Sequence, residues 1–206
     1  MNEPVRVASA LDYTAHIAST EVLRDFKSAL LGSLLGGWSR RKTLLGYSVP
    51  AGRMVQFAID QTLRLKDGSY NLRETVNCPD TWFNTRMRAA IHGVEGWETE
   101  AVDGAYIMEQ KTPLFTYFQS RFPSLVGSEY LGEKWALGSY DADGLRNEDA
   151  TRLTFDDASF DLVMSFEVLE HIPDYLAALR EVRRILRPGG RFYFTCLLYT
   201  SPSPRD

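Results

Sequence analysis

The sequence has few cysteines, Cys78 and Cys196 among 206 residues. That is too few for a disulfide framework or a four-thiolate metal site. It lacks long apolar runs: the longest apolar stretch, residues 28–38, is broken by three glycines and is too short to span a bilayer, so no membrane association is expected. The opening MNEPVRVAS has no apolar signal core, so no export is implied and a cytoplasmic protein is expected. There is no excess of positive charge. Lys and Arg number 23 against 27 Asp and Glu, a net charge of −4, which argues against general nucleic-acid binding. Repeats are absent, and so are low-complexity tracts before residue 196. What remains is 44% hydrophobic and 24% charged, the composition of a soluble globular chain. Its length suits one α/β domain with some extra structure.

Residues 11–35 carry Ile17, Val22, Leu23, Phe26, Leu30 and Leu34 at helical spacing, and Gly36-Gly37 is a stop. The basic run SRRK at 39–42 reads as a solvated helix end. Asp67-Gly68, between RMVQFAIDQTLRL and YNLRETV, predicts a small hairpin. A helix is expected over 85–94. From Gly104 onward short apolar runs alternate with amphipathic segments. GAYIMEQ, SLVGSEYL, DLVMSF and RFYFT read as strands. Thr112-Pro113 opens a helix that Pro123 ends, and Asp143-Gly144 turns the chain. Residues 174–186 place Leu176, Leu179, Val182, Ile185 and Leu186 on one helical face, and Pro188-Gly189-Gly190 stops that helix. Alternating strands and helices predict a mainly parallel sheet with helices on its faces.

Residues 149–195 carry an ordered series: an acidic residue before a Leu-x-Phe turn, the strand SFDLV, EVLEHI at its carboxyl end, a helix, LRPGG and a final strand. This series resembles the second half of a class I S-adenosylmethionine-dependent methyltransferase domain, methyltransferase type 11-like. The resemblance implies a Rossmann-like α/β sheet with helices on both faces. It implies S-adenosylmethionine as cofactor. Glu109 would stand for the family's first acidic residue, at the end of the first strand. Glu129, after the second strand, would hold the ribose diol; its other reading is a surface carboxylate at a strand end. Asp149 would accept from the adenine amino group, with Glu148 beside it as the alternative acceptor. Ala150 or Phe155 would flank the adenine. Phe166, Glu167, Glu170 and His171 would line the cleft between cofactor and acceptor. His171, assisted by Glu170, is the candidate base if the nucleophile must lose a proton. The alternative is that both residues cap the following turn.

The series departs from the family at the first loop. Class I domains place glycines there, because a backbone without Cβ approaches the cofactor closely. Here the loop is Gln110-Lys111-Thr112-Pro113. Either side chains and the helix N-terminus at Thr112 hold the cofactor, or the site binds weakly or not at all. The segment is similar to that of a divergent subfamily in which paired CxxC knuckles precede the domain. At the matching thiol positions stand Ser48, Ala51, Cys78 and Thr81, so a tetrahedral zinc site is not expected. Arg86 and Arg88, in a segment similar to the subfamily's NxRxRA, either meet an anionic substrate or form salt bridges across a domain boundary.

Residues 196–206, CLLYTSPSPRD, resemble the translation of a sequencing-library transposon adapter, and the native sequence is expected to stop at Thr195 within a longer gene. The expected organisation is an N-terminal extension of helix, hairpin and degenerate knuckle over 1–76, a methyltransferase-like domain over 77–195 truncated after its fifth strand, and a tail over 196–206. The expected activity is methyl transfer to a small-molecule or saccharide-type acceptor. The alternative is a non-catalytic methyltransferase-fold protein that binds a ligand or partner. The oligomeric state is left open.

Overall fold

The computed structural model describes residues 41–60, 62, 71–97 and 102–196, together with Asp25 and Ala29, both helical. Most of the helical pattern at 11–35, the Gly36-Gly37 stop, the Asp67-Gly68 turn and residues 197–206 lie outside the described residues. The chain divides into two compact units, Met1–Thr85 and Arg86–Asp206.

In the first unit, β1 (Arg41–Ser48) and β2 (Arg53–Asp60) form an antiparallel hairpin in register from Arg41↔Asp60 to Ser48↔Arg53. Its turn carries Pro50 and a left-handed Gly52, φ 63°. Alternation along β2 buries Val55, Phe57 and Ile59, the period-two signature of a half-buried strand. Arg41 and Lys42 of the SRRK run therefore begin a strand, and its first two residues lie outside the described residues. The segment YNLRETV is mostly not the strand expected. It makes one helical turn, α1 (Leu72–Thr75), and then β3 (Val76–Asn77), which pairs antiparallel with β2. Because β3 joins this sheet, the division between units falls after Thr85 rather than at 76/77.

Val76 and Cys78 complete the small core with Val55, Phe57 and Ile59. The two turns 48–52 and 78–82 match: each is followed at its fifth position by a left-handed residue, Gly52 at φ 63° and Trp82 at φ 58°. Burial opposes ionisation of the Cys78 thiol, but the hydroxyls of Thr81 and Ser48 and the amides of Asp80 and Thr81 outweigh it and hold the thiol below its ordinary value. Among the described residues no group of three or more His, Cys, Asp or Glu could hold a metal ion.

The second unit holds α2 (Thr85–Trp97), β4 (Ala105–Ile107), α3 (Pro113–Arg121), β5 (Leu125–Gly127), β6 (Phe160–Phe166), α4 (Tyr175–Ile185) and β7 (Leu186–Thr195). The four strands are parallel in the order β5-β4-β6-β7. Thr112 caps α3 ahead of Pro113, and Asp174 caps α4 by accepting from the Ala177 amide at 2.9 Å. The β4-α3-β5 and β6-α4-β7 crossovers run in opposite directions along the sheet. Right-handed connection then places α3 and α4 on opposite faces. The packing agrees: Tyr106 and its register partner Val163 bury against Val182 and Ile185 of α4, whereas Phe166 stacks on Phe118 of α3 at 6.0 Å.

Two details differ from expectation. A fifth strand survives only as an isolated parallel bridge, Glu129↔Asn147. Glu148 and Asp149 turn their carboxylates onto the nearby Thr154 and Thr151 amides, and such local bonds compete with a ladder. Pro188-Gly189-Gly190 lies inside β7, which already starts at Leu186 and shifts register between Phe160 and Leu162 of β6.

Candidate functional site

Strand order reverses between β4 and β6, so the crevice beyond their carboxyl ends is the place where a sheet of this kind takes a ligand. A cavity of about 410 Å³ opens there, within the range of small-molecule sites. Tyr106 and Met108 of the β4 end form its floor, with Val168, Ile172 and Pro173 beyond β6 as apolar walls. Ser128, Glu129 and Tyr130 enter from the β5 end, and Glu148, Asp149, Ala150 and Thr151 from the segment after the isolated bridge. The apolar walls Met108, Val168, Ile172 and Pro173 are absent from the sequence reading. Their signal was position: each follows the carboxyl end of a predicted strand.

Glu129 lines the cavity and spends one oxygen on the loop. Its Oε1 accepts from the amides of Gln110 at 2.9 Å and Lys111 at 2.8 Å. Oε2 has no hydrogen-bond partner among the described residues. Glu109 does not line the cavity. It is buried, its Oε1 has no partner among the described residues, and burial pushes its carboxyl up to about 7 against the charge of Arg86 and a bond from the Thr112 hydroxyl.

Asp149 lines the cavity but is already engaged. Its Oδ1 accepts from the Thr151 amide at 2.9 Å and the Thr151 hydroxyl at 2.7 Å, and its Oδ2 from Arg152 Nε at 3.0 Å. Burial opposes ionisation; these bonds outweigh it and hold the carboxyl below the usual carboxylate value. A carboxylate has about four lone-pair positions, so one remains on Oδ2. Glu148 is equally engaged, by Arg146 Nε at 2.8 Å, the Thr154 hydroxyl at 2.5 Å and the Thr154 amide at 3.0 Å. Ala150 stands in the wall.

Phe166 and Phe155 do not line the cavity. Phe166 is core against Phe118. Phe155 packs edge-on to Tyr106 at 4.8 Å and carries the Arg146 guanidinium over its face at 4.6 Å. Glu170 and His171 do not form a pair. Both sit on the 3₁₀ turn Leu169–His171, where successive side chains point about 120° apart. His171 is exposed and lines the cavity, whereas Glu170 turns its carboxylate toward Cys196. Tyr106 closes the floor, its hydroxyl 2.7 Å from Ser128 Oγ; burial raises its ionisation far above the ordinary value.

A parallel sheet in this order, with a polar-rimmed cavity at its switch point, is a Rossmann-like arrangement. Residues 126–194 match the family described as "Methyltransferase domain". The demethylmenaquinone methyltransferase of Staphylococcus epidermidis is 47% identical over 55 residues, 27% of this chain and 22% of that protein. The 27-O-demethylrifamycin SV methyltransferase of Amycolatopsis mediterranei is 46% identical over 56 residues, 27% of this chain and 20% of that protein. The chain thus spans about a fifth of the length of these curated relatives. The solved structure of the YcgJ protein from Bacillus subtilis is 23% identical, covers 52% of this chain and 49% of that one, and has a TM-score of 0.42. Residues 126–194 are a methyltransferase-domain segment, carried on a Rossmann-like sheet.

Proposed function

We propose that the protein transfers a methyl group from S-adenosylmethionine to a small-molecule or saccharide-type acceptor. The observation that carries this reading is the cavity at the switch point with Glu129 Oε2 left unbonded in its wall. The residues fit the cofactor's nucleoside. Glu129 Oε2 offers an acceptor to a ribose diol. The Ala150 amide makes no hydrogen bond among the described residues and can donate to an adenine ring nitrogen, while the remaining position on Asp149 Oδ2 accepts from its amino group. The relatives act on a menaquinone precursor and a rifamycin by their names, which favours a small organic acceptor.

When bound, the cofactor supplies an electrophilic methyl group on a sulfonium. Displacement of that kind depends chiefly on alignment. Met108, Val168 and Ile172 exclude water from the cavity, and Glu129 orients the sugar. His171 is the one imidazole among the described residues of the wall and takes a proton from the acceptor if its nucleophile carries one.

A specific observation favours a second reading, ligand binding without catalysis: the Gln110 and Lys111 amides, which face Glu129, are already spent. Calorimetric titration with S-adenosylmethionine separates the two. Micromolar binding lost in Glu129→Ala supports the enzyme, and silence at millimolar ligand supports the second reading. Replacing His171 by Ala and by Gln tests its role; unchanged turnover in folded variants removes it from the chemistry.

A further inference from the structure

We infer that Gln110 is a positioning residue for this cavity, a side-chain clasp standing where a glycine-rich loop would use its backbone. The inference rests on the reading of the cavity as an S-adenosylmethionine site. Gln110 lies in the loop after β4, three residues past Ile107, and its side-chain amide bonds to the backbone of the 144–146 segment. Nε2 donates to the Gly144 carbonyl at 2.9 Å, and Oε1 accepts from the Arg146 amide at 3.0 Å. One donor and one acceptor in a plane is the pattern of a strand edge, and a primary amide offers it at neutral pH where an ionised carboxylate accepts without donating.

The main chain of Gln110 is tied at the same time, through its N–H to Glu129 Oε1. Glu129 in turn donates its own amide to the Arg146 carbonyl at 2.8 Å and accepts from the Glu148 amide at 3.0 Å. Three separate segments, 109–111, 128–130 and 144–149, are therefore joined around one side chain. Two of them supply cavity walls: Glu129 for a diol, and residues 148–150 for a base.

The glycine that this arrangement needs lies in the neighbouring strand. A Cβ on Gly127 would stand 2.5 Å from the Phe115 ring and 3.0 Å from Gln110 Cγ. The bare Cα of Gly127 thus makes room for the stem of Gln110. Close approach, which class I loops obtain from glycines in the loop itself, is obtained here from the adjacent strand. The clasp keeps Glu129 Oε2 and the 148–150 wall at a set separation before any ligand arrives, and preorganisation of that kind lowers the cost of binding.

The test compares the full chain with Gln110→Ala and Gln110→Glu. S-adenosylhomocysteine is titrated calorimetrically at pH 7.5 and 4.0, and amide exchange at Arg146 is followed without ligand. Both variants are expected to bind at least tenfold more weakly than wild type at pH 7.5, with faster exchange at Arg146. Relative to wild type at the same pH, Gln110→Glu recovers in part at pH 4.0, where a glutamic acid side chain of ordinary value about 4.3 is mostly protonated and regains the donor for Gly144; Gln110→Ala does not. Wild-type binding matched within twofold by Gln110→Ala overturns the role of Gln110 alone. So does Gln110→Glu binding that is equally weak at both pH values. A wild type that fails to bind overturns the cavity reading and the positioning role with it, while slow exchange at Arg146 would still report the clasp.

Discussion

Glu109 and Glu129 carry the same side chain at neighbouring strand ends and are put to opposite uses. Glu129 receives two amides and stands in the cavity wall. Glu109 is buried with one oxygen unbonded, so its neutral form is favoured and its carboxyl is pushed up to about 7. The sign of the stability effect follows. A carboxyl raised on folding stabilises the fold fully below its unfolded value near 4.5, and that contribution is lost as pH rises through about 7. The loss across this window is on the order of 3 kcal/mol at about 1.4 kcal/mol per unit. Glu109→Gln removes the group. Urea unfolding at pH 5 and pH 8 should show a midpoint that falls with pH in wild type and changes much less in the variant, with the variant the more stable at pH 8. Asp149 works the other way: its lowered carboxyl favours the fold at neutral pH, and that contribution disappears as pH falls through the acidic range.

At the scale of elements, the loop after β4 shows what sequence can and cannot reveal. The absent glycines were plain to read, and so were Thr112-Pro113 and the α3 start they dictate. What replaced the glycines was not, because Gln110 reaches Gly144 and Arg146 across a long sequence separation that no local pattern encodes. Gly127 gives this loop a sharp test. Gly127→Ala sets a methyl against the Phe115 ring, an overpacking that costs roughly 1–3 kcal/mol. Denaturant unfolding should register that loss, and Phe115→Leu in the Gly127→Ala background should recover a part of it. The paired turns 48–52 and 78–82 make a second test. A left-handed residue ends each turn and amides gather on Cys78, and we propose that the pair is a degenerate knuckle whose missing donors can be restored. Replacing Ser48, Ala51 and Thr81 together by Cys should confer about one equivalent of bound metal, read by cobalt absorption bands of a thiolate site, where wild type shows none.

At the scale of the whole molecule, the legible part was the second unit and the obscure part the first. Hydrophobic runs, caps and the ordered series at 149–195 specify a parallel sheet because its central strands, β4 and β6, are buried on both faces. The β1–β2 hairpin escaped because its turn signals, Pro50 and Gly52, are separated and its strands alternate in a region of mixed polarity. Within the site, Glu129, Asp149, Ala150 and His171 line the cavity. Glu109, Phe166 and Glu170 do not, since strand period alone does not say which residue after a strand end turns toward the crevice. The division has a thermodynamic consequence. Every wall of the cavity comes from the second unit, so a ligand that binds the folded cavity stabilises that unit by mass action, about 2.7 kcal/mol at a hundredfold excess over Kd. Added S-adenosylhomocysteine should therefore slow amide exchange around 106–111, 128–131, 147–151 and 168–173 and leave β1–β3 unchanged. Mass spectrometry of peptides from both units reads this directly. Uniform slowing along the chain would indicate one cooperative unit, and slowing confined to 41–60 would place the ligand elsewhere.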